Sequence, residues 1–118
     1  MTQTTRYASV LPKIGAERSK LISEAKIKTL SESKNLVEVA AQLRDSEYQE
    51  QISRLTAPIT GRKLERAFQE TLIETYLKLI KYSPEQAVRY LDLYLQRFEV
   101  ENVKTLIRTT NAKLSPEQ

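Results

Sequence analysis

Residues 61–82 read Gly61-Arg62-Lys63-Leu64-Glu65-Arg66-Ala67-Phe68-Gln69-Glu70-Thr71-Leu72-Ile73-Glu74-Thr75-Tyr76-Leu77-Lys78-Leu79-Ile80-Lys81-Tyr82, and this stretch decides the fold. Leu64, Phe68, Leu72, Ile73, Tyr76, Leu77 and Ile80 recur at intervals of mostly three and four, one apolar stripe of a 3.6-residue repeat. Lys63, Glu70, Glu74, Lys78 and Lys81 occupy much of the remaining surface. Arg66–Glu70 and Glu74–Lys78 stand at i, i+4, where each pair adds about 0.2–0.5 kcal/mol to a helix. The stretch is a long amphipathic helix.

Ser83-Pro84-Glu85-Gln86 predicts the start of another. Ser83 can cap, Pro84 suits the first helical position because its missing N–H has no partner there anyway, and Gln86 completes a capping box. Ala87, Val88, Leu91, Tyr94, Leu95 and Phe98 then form a regular stripe, and Val100, Val103, Leu106 and Ile107 continue it on a shifted phase. The pattern predicts one long helix, or two nearly collinear ones, from Pro84 to about Thr110. Before residue 61 the signals are shorter. Tyr7, Val10, Leu11, Ile14, Leu21 and Ile22 suggest an initial helix that Pro12 and Gly15 should bend or interrupt. Residues 23–30 suggest a short helix, and Asn35 a cap for the next, which carries Leu36, Val39, Ala40 and Leu43. Ser46-Glu47-Tyr48-Gln49 is a second capping box, and 56–61 is a linker. No stretch alternates at period two. The fold class is all-α, an antiparallel bundle of about five or six helices forming a single domain over 1–118.

Composition removes most catalytic chemistry. The 118 residues contain no Cys, no His and no Trp, and their two glycines are Gly15 and Gly61. Thiolate and imidazole metal sites, cysteine nucleophiles and the Ser-His-Asp triad are therefore excluded. So are the glycine-rich phosphate and dinucleotide loops. The net charge is +4 and the pI about 9.4, which raises a nucleic-acid-binding helical module as an alternative. Yet residues 1–34 hold seven basic and three acidic side chains, while 35–118 hold twelve of each. The excess belongs to the first helical region, thinned by its acids, and reads better as a solvated face. No window approaches the ~20 apolar residues of a membrane span, and 1–6 lacks the apolar run of a signal peptide.

Ser23 and Lys26, like Ser31 and Lys34, have Ser-x-x-Lys spacing, but the accompanying Ser-Asp-Asn and Lys-Thr-Gly motifs of serine acyl-enzymes are absent. Glu70 and Glu74 share a helix face without the Glu-x-x-His that a di-iron bundle needs. Tyr76, Tyr90 and Tyr94 fit core packing better than base stacking. No catalytic, cofactor or metal residue is assigned.

One segment carries more information: Tyr94-Leu95-Gln96-Arg97-Phe98-Glu99-Val100-Glu101-Asn102-Val103-Lys104-Thr105-Leu106-Ile107-Arg108. Arg97, Glu101, Lys104 and Arg108 follow at helical spacing. Asn102 lies between Val100 and Val103, which predicts a buried amide hydrogen-bonded between helices, so that Asn102→Leu destabilises or changes the oligomeric state. The segment resembles the signature of the C subunit of archaeal A-type and bacterial V-type ATPases, relatives of the d subunit of eukaryotic V-ATPases. That family has a pattern close to Tyr-Leu-x-Arg-(Trp/Asn/Phe)-(Asp/Glu)-(Val/Leu)-x-Asn-(Leu/Val)-Lys-x-(Leu/Ile)-(Leu/Ile)-Arg. Here Tyr94, Leu95, Arg97, Glu99, Val100, Asn102, Val103, Lys104, Leu106, Ile107 and Arg108 match it. Tyr7, Ser19-Lys20-Leu21-Ile22, Leu43-Arg44-Asp45-Ser46-Glu47-Tyr48 and the 74–80 stretch agree as well. Pro12 and Gly15 depart from the family's uninterrupted first helix, and Glu99 replaces the commoner Asp.

The resemblance implies a non-catalytic rotor part. It implies one lobe of a three-lobed funnel, seated on the cytoplasmic side of the membrane proteolipid ring and receiving the central axle. Its partners are then other ATPase subunits, it meets the membrane only through them, and it couples proton or sodium movement to ATP synthesis or hydrolysis. Tyr94, Arg97, Glu99, Asn102, Lys104 and Arg108 become the expected structural or partner-contact residues, with no nucleic acid bound. Ser115-Pro116-Glu117-Gln118 repeats the helix-start tetrad of 83–86, so the parent gene is expected to continue and repeat the motif, with 1–5 and 111–118 flexible. Tyr90 and Leu93 lie off the main stripe of the last helix, so the isolated chain is expected to self-associate.

Overall fold

A computed structural model describes residues 3–112. Its helices are α1 (Gln3–Arg6), α2 (Leu11–Ser19), α3 (Glu24–Ser31), α4 (Leu36–Gln42), α5 (Gln49–Ser53), α6 (Gly61–Ile80) and α7 (Glu85–Asn111), with a 3₁₀ turn at Leu43–Asp45. No strand occurs among the described residues, and the all-α bundle that the periodicity predicts is what forms. The helix-start tetrad at 115–118 lies outside the described residues.

The core closes where the sequence is choppiest. Ala40, Leu43, Ile52, Leu64 and Ala67 form one buried cluster, joined at its edge by Ile22, Leu30, Val39, Tyr48, Leu55 and Ile59. The short helices supply most of it, and the first turns of α6 supply the wall. Tyr48 meets Phe68 edge-on at 5.0 Å between ring centroids, a favoured aromatic geometry. Buried Gln51 donates from Nε2 to Glu74 Oε1 at 2.7 Å, tying α5 to the middle of α6.

Caps set most of these boundaries. Ser23 Oγ accepts from the Lys26 amide at the start of α3, and Thr60 Oγ1 from the Lys63 amide at the start of α6. Asn35 Oδ1 accepts from the Glu38 amide at 2.9 Å, while Glu38 Oε2 accepts from the Lys34 amide at 2.8 Å. Each side-chain cap is worth about 0.5–2 kcal/mol. Lys63 Nζ holds the linker by donating to the carbonyls of Thr56 and Pro58.

Three local expectations are corrected. The first helix is interrupted at 7–10, just ahead of Pro12, which lies in the opening turn of α2 where no backbone donor is needed, but Gly15 does not interrupt it, since α2 runs through that residue. Ser83 does not cap α7: its hydroxyl donates to the Leu79 carbonyl at 2.7 Å and finishes α6, leaving Pro84 as the cap position without a side-chain bond. Ser46 likewise serves the 3₁₀ turn by donating to the Leu43 carbonyl, and α5 begins only at Gln49. At Ser83 the preceding helix's free carbonyl takes the hydroxyl, while Ser46 serves both sides, its Oγ also accepting from the Tyr48 amide at 3.3 Å.

α6 and α7 run antiparallel, with Tyr76 against Tyr94 and Leu79 near Leu91. α2 packs across the far end of α6, where Ser9 Oγ donates to the Tyr82 carbonyl and Lys13 Nζ sits 4.7 Å from the Tyr82 ring centre. The molecule is drawn out, 53 × 40 × 20 Å, with a radius of gyration of 17.6 Å against about 13.5 Å for a compact chain of this length. Its accessible surface is 9383 Å², where about 6,600 Å² is usual for this mass. Much apolar surface is therefore uncovered.

Leu43, 1% exposed, sits at the centre of the cluster. Leu43→Ala should lower the unfolding free energy by about 2–5 kcal/mol in urea denaturation, and Leu106→Ala by less than about 0.5 kcal/mol.

Candidate interaction surface

α7 has two faces with different fates. On one, Val88, Leu91, Leu95 and Phe98 are half-buried, and Tyr94 lies 5.1 Å from Tyr76 between centroids at a 36° tilt. Arg97 caps this contact, its guanidinium carbon 5.5 Å from the Tyr94 ring centre and 5.8 Å from that of Phe98. A cation over an aromatic face is attracted by the ring quadrupole, so Arg97 holds both rings from above. Burial, then the neighbouring Tyr94 hydroxyl, pushes the Tyr76 phenol up from its usual value, with Arg97 opposing.

Beyond Phe98 the packing stops. Every residue from 99 to 112 is exposed except half-buried Thr109. The inward stripe itself turns polar there, running from Phe98 through Asn102 and Thr105 to Thr109. Thr105 Oγ1 donates to the Glu101 carbonyl and Thr109 Oγ1 to that of Thr105, so both threonines are satisfied within their own helix. Asn102 is exposed and makes no side-chain hydrogen bond among the described residues, so the expected buried, interhelical amide is corrected. It does lie on the inward stripe, as the periodicity predicts, but nothing described covers that stripe past Phe98.

The six expected residues divide accordingly. Tyr94 and Arg97 are brought together over α6. Lys104 Nζ pairs with Glu101 Oε1 at 2.8 Å, and that hydrogen bond, with the charges of Lys104, Arg108 and Arg97, holds the Glu101 carboxyl below its usual range. Lys104 and Arg108 thus gather around one acid. Glu99 and Asn102 stand apart, exposed.

The outer face of α7 carries the residues that the sequence sets off its main stripe. Tyr90 is 79% exposed and Leu93 64%, and Val100, Val103 and Ile107 are all more than half exposed. The phase shift after Phe98 is their signal in the sequence. A groove of about 380 Å³ has no such signal; it is lined by Tyr7, Val10, Ile14, Leu79, Ala87 and Tyr90 among others, where α2 meets the α6–α7 corner. Among the described residues no group of three or more His, Cys, Asp or Glu is placed to hold a metal, and no helix is long and apolar enough to cross a membrane.

Residues 10–118 match the family described as ATP synthase (C/AC39) subunit. The C subunit of the A-type ATP synthase of Methanocaldococcus jannaschii is 31% identical over 116 residues, covering 95% of this chain and 28% of that protein. Its counterpart in Thermococcus kodakarensis is 27% identical over 113 residues, 96% of this chain and 30% of that protein. That of Methanosarcina acetivorans is 29% identical over 106 residues, 89% and 29% respectively. The chain spans less than a third of the length of the curated relatives it matches. No solved structure matches it.

Two outcomes follow from the geometry of α7. Asn102→Leu should leave stability within about 0.5 kcal/mol of the parent in chemical denaturation, since the amide is already in water. Tyr48, raised mainly by burial and then by Glu47, and Tyr76 should ionise later than ordinary phenols in an ultraviolet titration. Both favour the neutral form in the fold, so their contribution is complete below pH 10 and is lost as pH rises through the raised values. Tyr76→Phe should remove part of that alkaline loss.

Proposed function

We propose a function from one premise: this chain belongs to the ATP synthase (C/AC39) subunit family. On that premise it is a non-catalytic stalk piece of an A-type or V-type rotary ATPase. It joins the central axle to the membrane proteolipid ring, so that proton or sodium movement is coupled to ATP synthesis or hydrolysis. It acts at the cytoplasmic face of the membrane and meets the lipid only through partner subunits. The chain is read as one helical lobe of a larger funnel-shaped subunit.

The observation that supports this reading is the family match lying over a helix with a divided surface. A coupling part transmits torque through stiff elements and complementary faces. α7 extends about 40 Å, is clamped on α6 by Tyr94 and Arg97, and leaves Glu99, Asn102, Lys104 and Arg108 exposed. In this reading Tyr94 and Arg97 position the helix, and the four exposed residues meet a partner subunit.

The test is binding of the purified chain to an A-type proteolipid ring in nanodiscs and to the isolated axle subunit. Saturable binding to either is expected, weakened about fivefold or more by Lys104→Ala with Arg108→Ala, a loss typical of interface contacts near 1 kcal/mol. Absence of binding to both, with retention on duplex DNA that falls steeply with salt, would contradict the coupling role and favour a nucleic-acid module.

A further inference from the structure

The positive charge of the chain is gathered at one end of the fold. Its excess belongs to residues 1–34, which supply α1, α2 and α3. Glu17 lies 2.9 Å from Lys20 Nζ and 3.9 Å from Lys78 Nζ, so one acid already serves two bases. Arg6, at the end of α1, and Arg18, near the end of α2, are exposed and make no ion pair among the described residues.

The apolar groove at the α2–α7 corner has one of these arginines toward each end. Tyr7, Val10 and Ile14 form one wall, Ala87 and Tyr90 the other, and Leu79 lies between. Gln86 joins the groove to a polar hollow lined by Arg6, Pro84 and Glu85. Glu85 is engaged by Arg89 at 3.4 Å, which leaves Arg6 as the free charge of that end. Arg18 continues the stripe of Val10 and Ile14 one turn further along α2. The α2 wall buries none of its nine residues, and Ile14 and Tyr90 face each other's side of the groove while exposed. Ser9 Oγ on the Tyr82 carbonyl and Lys13 Nζ over the Tyr82 ring fix α2 to the end of α6. The wall is therefore held in place before anything docks, which lowers the cost of binding.

The shape and the charges select one kind of occupant. A groove of about 380 Å³ falls in the range of ligand clefts and holds a few aliphatic side chains. Running between two helices, it suits side chains one turn apart, the spacing of an amphipathic helix. Free cations at its ends favour an acidic partner and repel a basic one. The stripe from Val10 to Arg18 alone is about 12 Å long, so one headgroup on an apolar tail reaches one arginine and not both. Carboxylates on successive turns of a helix reach both.

We infer that the groove between α2 and α7 is a docking site for an acidic amphipathic helix of a partner protein, its apolar side chains on Ile14, Ala87 and Tyr90 and its carboxylates on Arg6 and Arg18. This surface is separate from the exposed 99–111 end of α7. The inference rests on the groove and its charges and not on the family assignment, so either can fail alone.

The probe is a fluorescent peptide of about 15 residues, long enough to hold a helix, with leucines along one face and glutamates on its flanks. The same peptide with lysine for every glutamate is its control. Anisotropy with the whole chain reads binding, and circular dichroism confirms that each variant folds. The glutamate peptide should saturate with a Kd below about 1 mM, and the lysine peptide should bind about tenfold or more weakly. Ala87→Phe, which fills the groove from α7, should weaken the glutamate peptide by a similar factor. Arg6→Glu with Arg18→Glu changes two exposed side chains and should reverse the preference, so that the lysine peptide binds the tighter. Amide shifts on binding should centre on Val10, Ile14, Ala87 and Tyr90. Failure of the glutamate peptide to saturate overturns the inference, as does equal binding of the two peptides. So does a preference that the arginine reversals leave unchanged, an affinity indifferent to Ala87→Phe, or shifts centred on 99–111. Dodecanoate displacing the peptide with the tighter Kd also overturns it, and assigns the groove to a small amphiphile.

Discussion

Leu64 and Ala67, on the first turns of α6, are the wall against which α3, α4 and α5 close. None of those three helices exceeds eight residues, and isolated helices so short are marginal in water. They persist because Ala40, Leu43 and Ile52 bury against that wall. α6 is thereby divided. Its first half serves the core, and its second half holds α7 through Tyr76 and α2 through the Glu17–Lys78 contact and the Tyr82 corner. Because the first half is already engaged, α7 loses its neighbour beyond Phe98.

That division accounts for the electrostatics of the last helix as well. Where α7 is packed, its cation lies on aromatic rings. Where it is free, its ions pair along its own surface, as Lys104 does with Glu101. Exposed pairs of this kind add little to stability. The family to which the chain belongs is described as an ATP synthase (C/AC39) subunit.

Much of this is legible in the sequence, and the exceptions share a cause. The two long helices declare themselves through unbroken apolar stripes and matching charge pairs, and Asn35 caps its helix as expected, whereas the Thr60 cap lies in a stretch that reads only as a linker. Ser46 and Ser83 spell capping boxes but donate backwards, and Ser46 alone also accepts forwards from the Tyr48 amide, because a serine beside a finishing turn has two claims on it. Pro12 reads as a breaker yet opens a helix, a difference of position that composition cannot convey. Asn102 lies on the expected stripe of the helix without the expected burial, since periodicity reveals which face points inward and not how far a neighbour reaches. The family motif is visible as a pattern, while its split into clamping and exposed residues requires three dimensions.

The central claim is that α7 is anchored by the fold only as far as Phe98 and is free beyond it. Amide hydrogen exchange on the dilute chain, followed residue by residue, tests this most directly. Amides around Leu64 and Ala67 should exchange slowest, those of 88–98 at intermediate rates, and those of 99–111 orders of magnitude faster than the first group. Uniform protection along α7, equal to that of α6 under dilute conditions, would contradict the account.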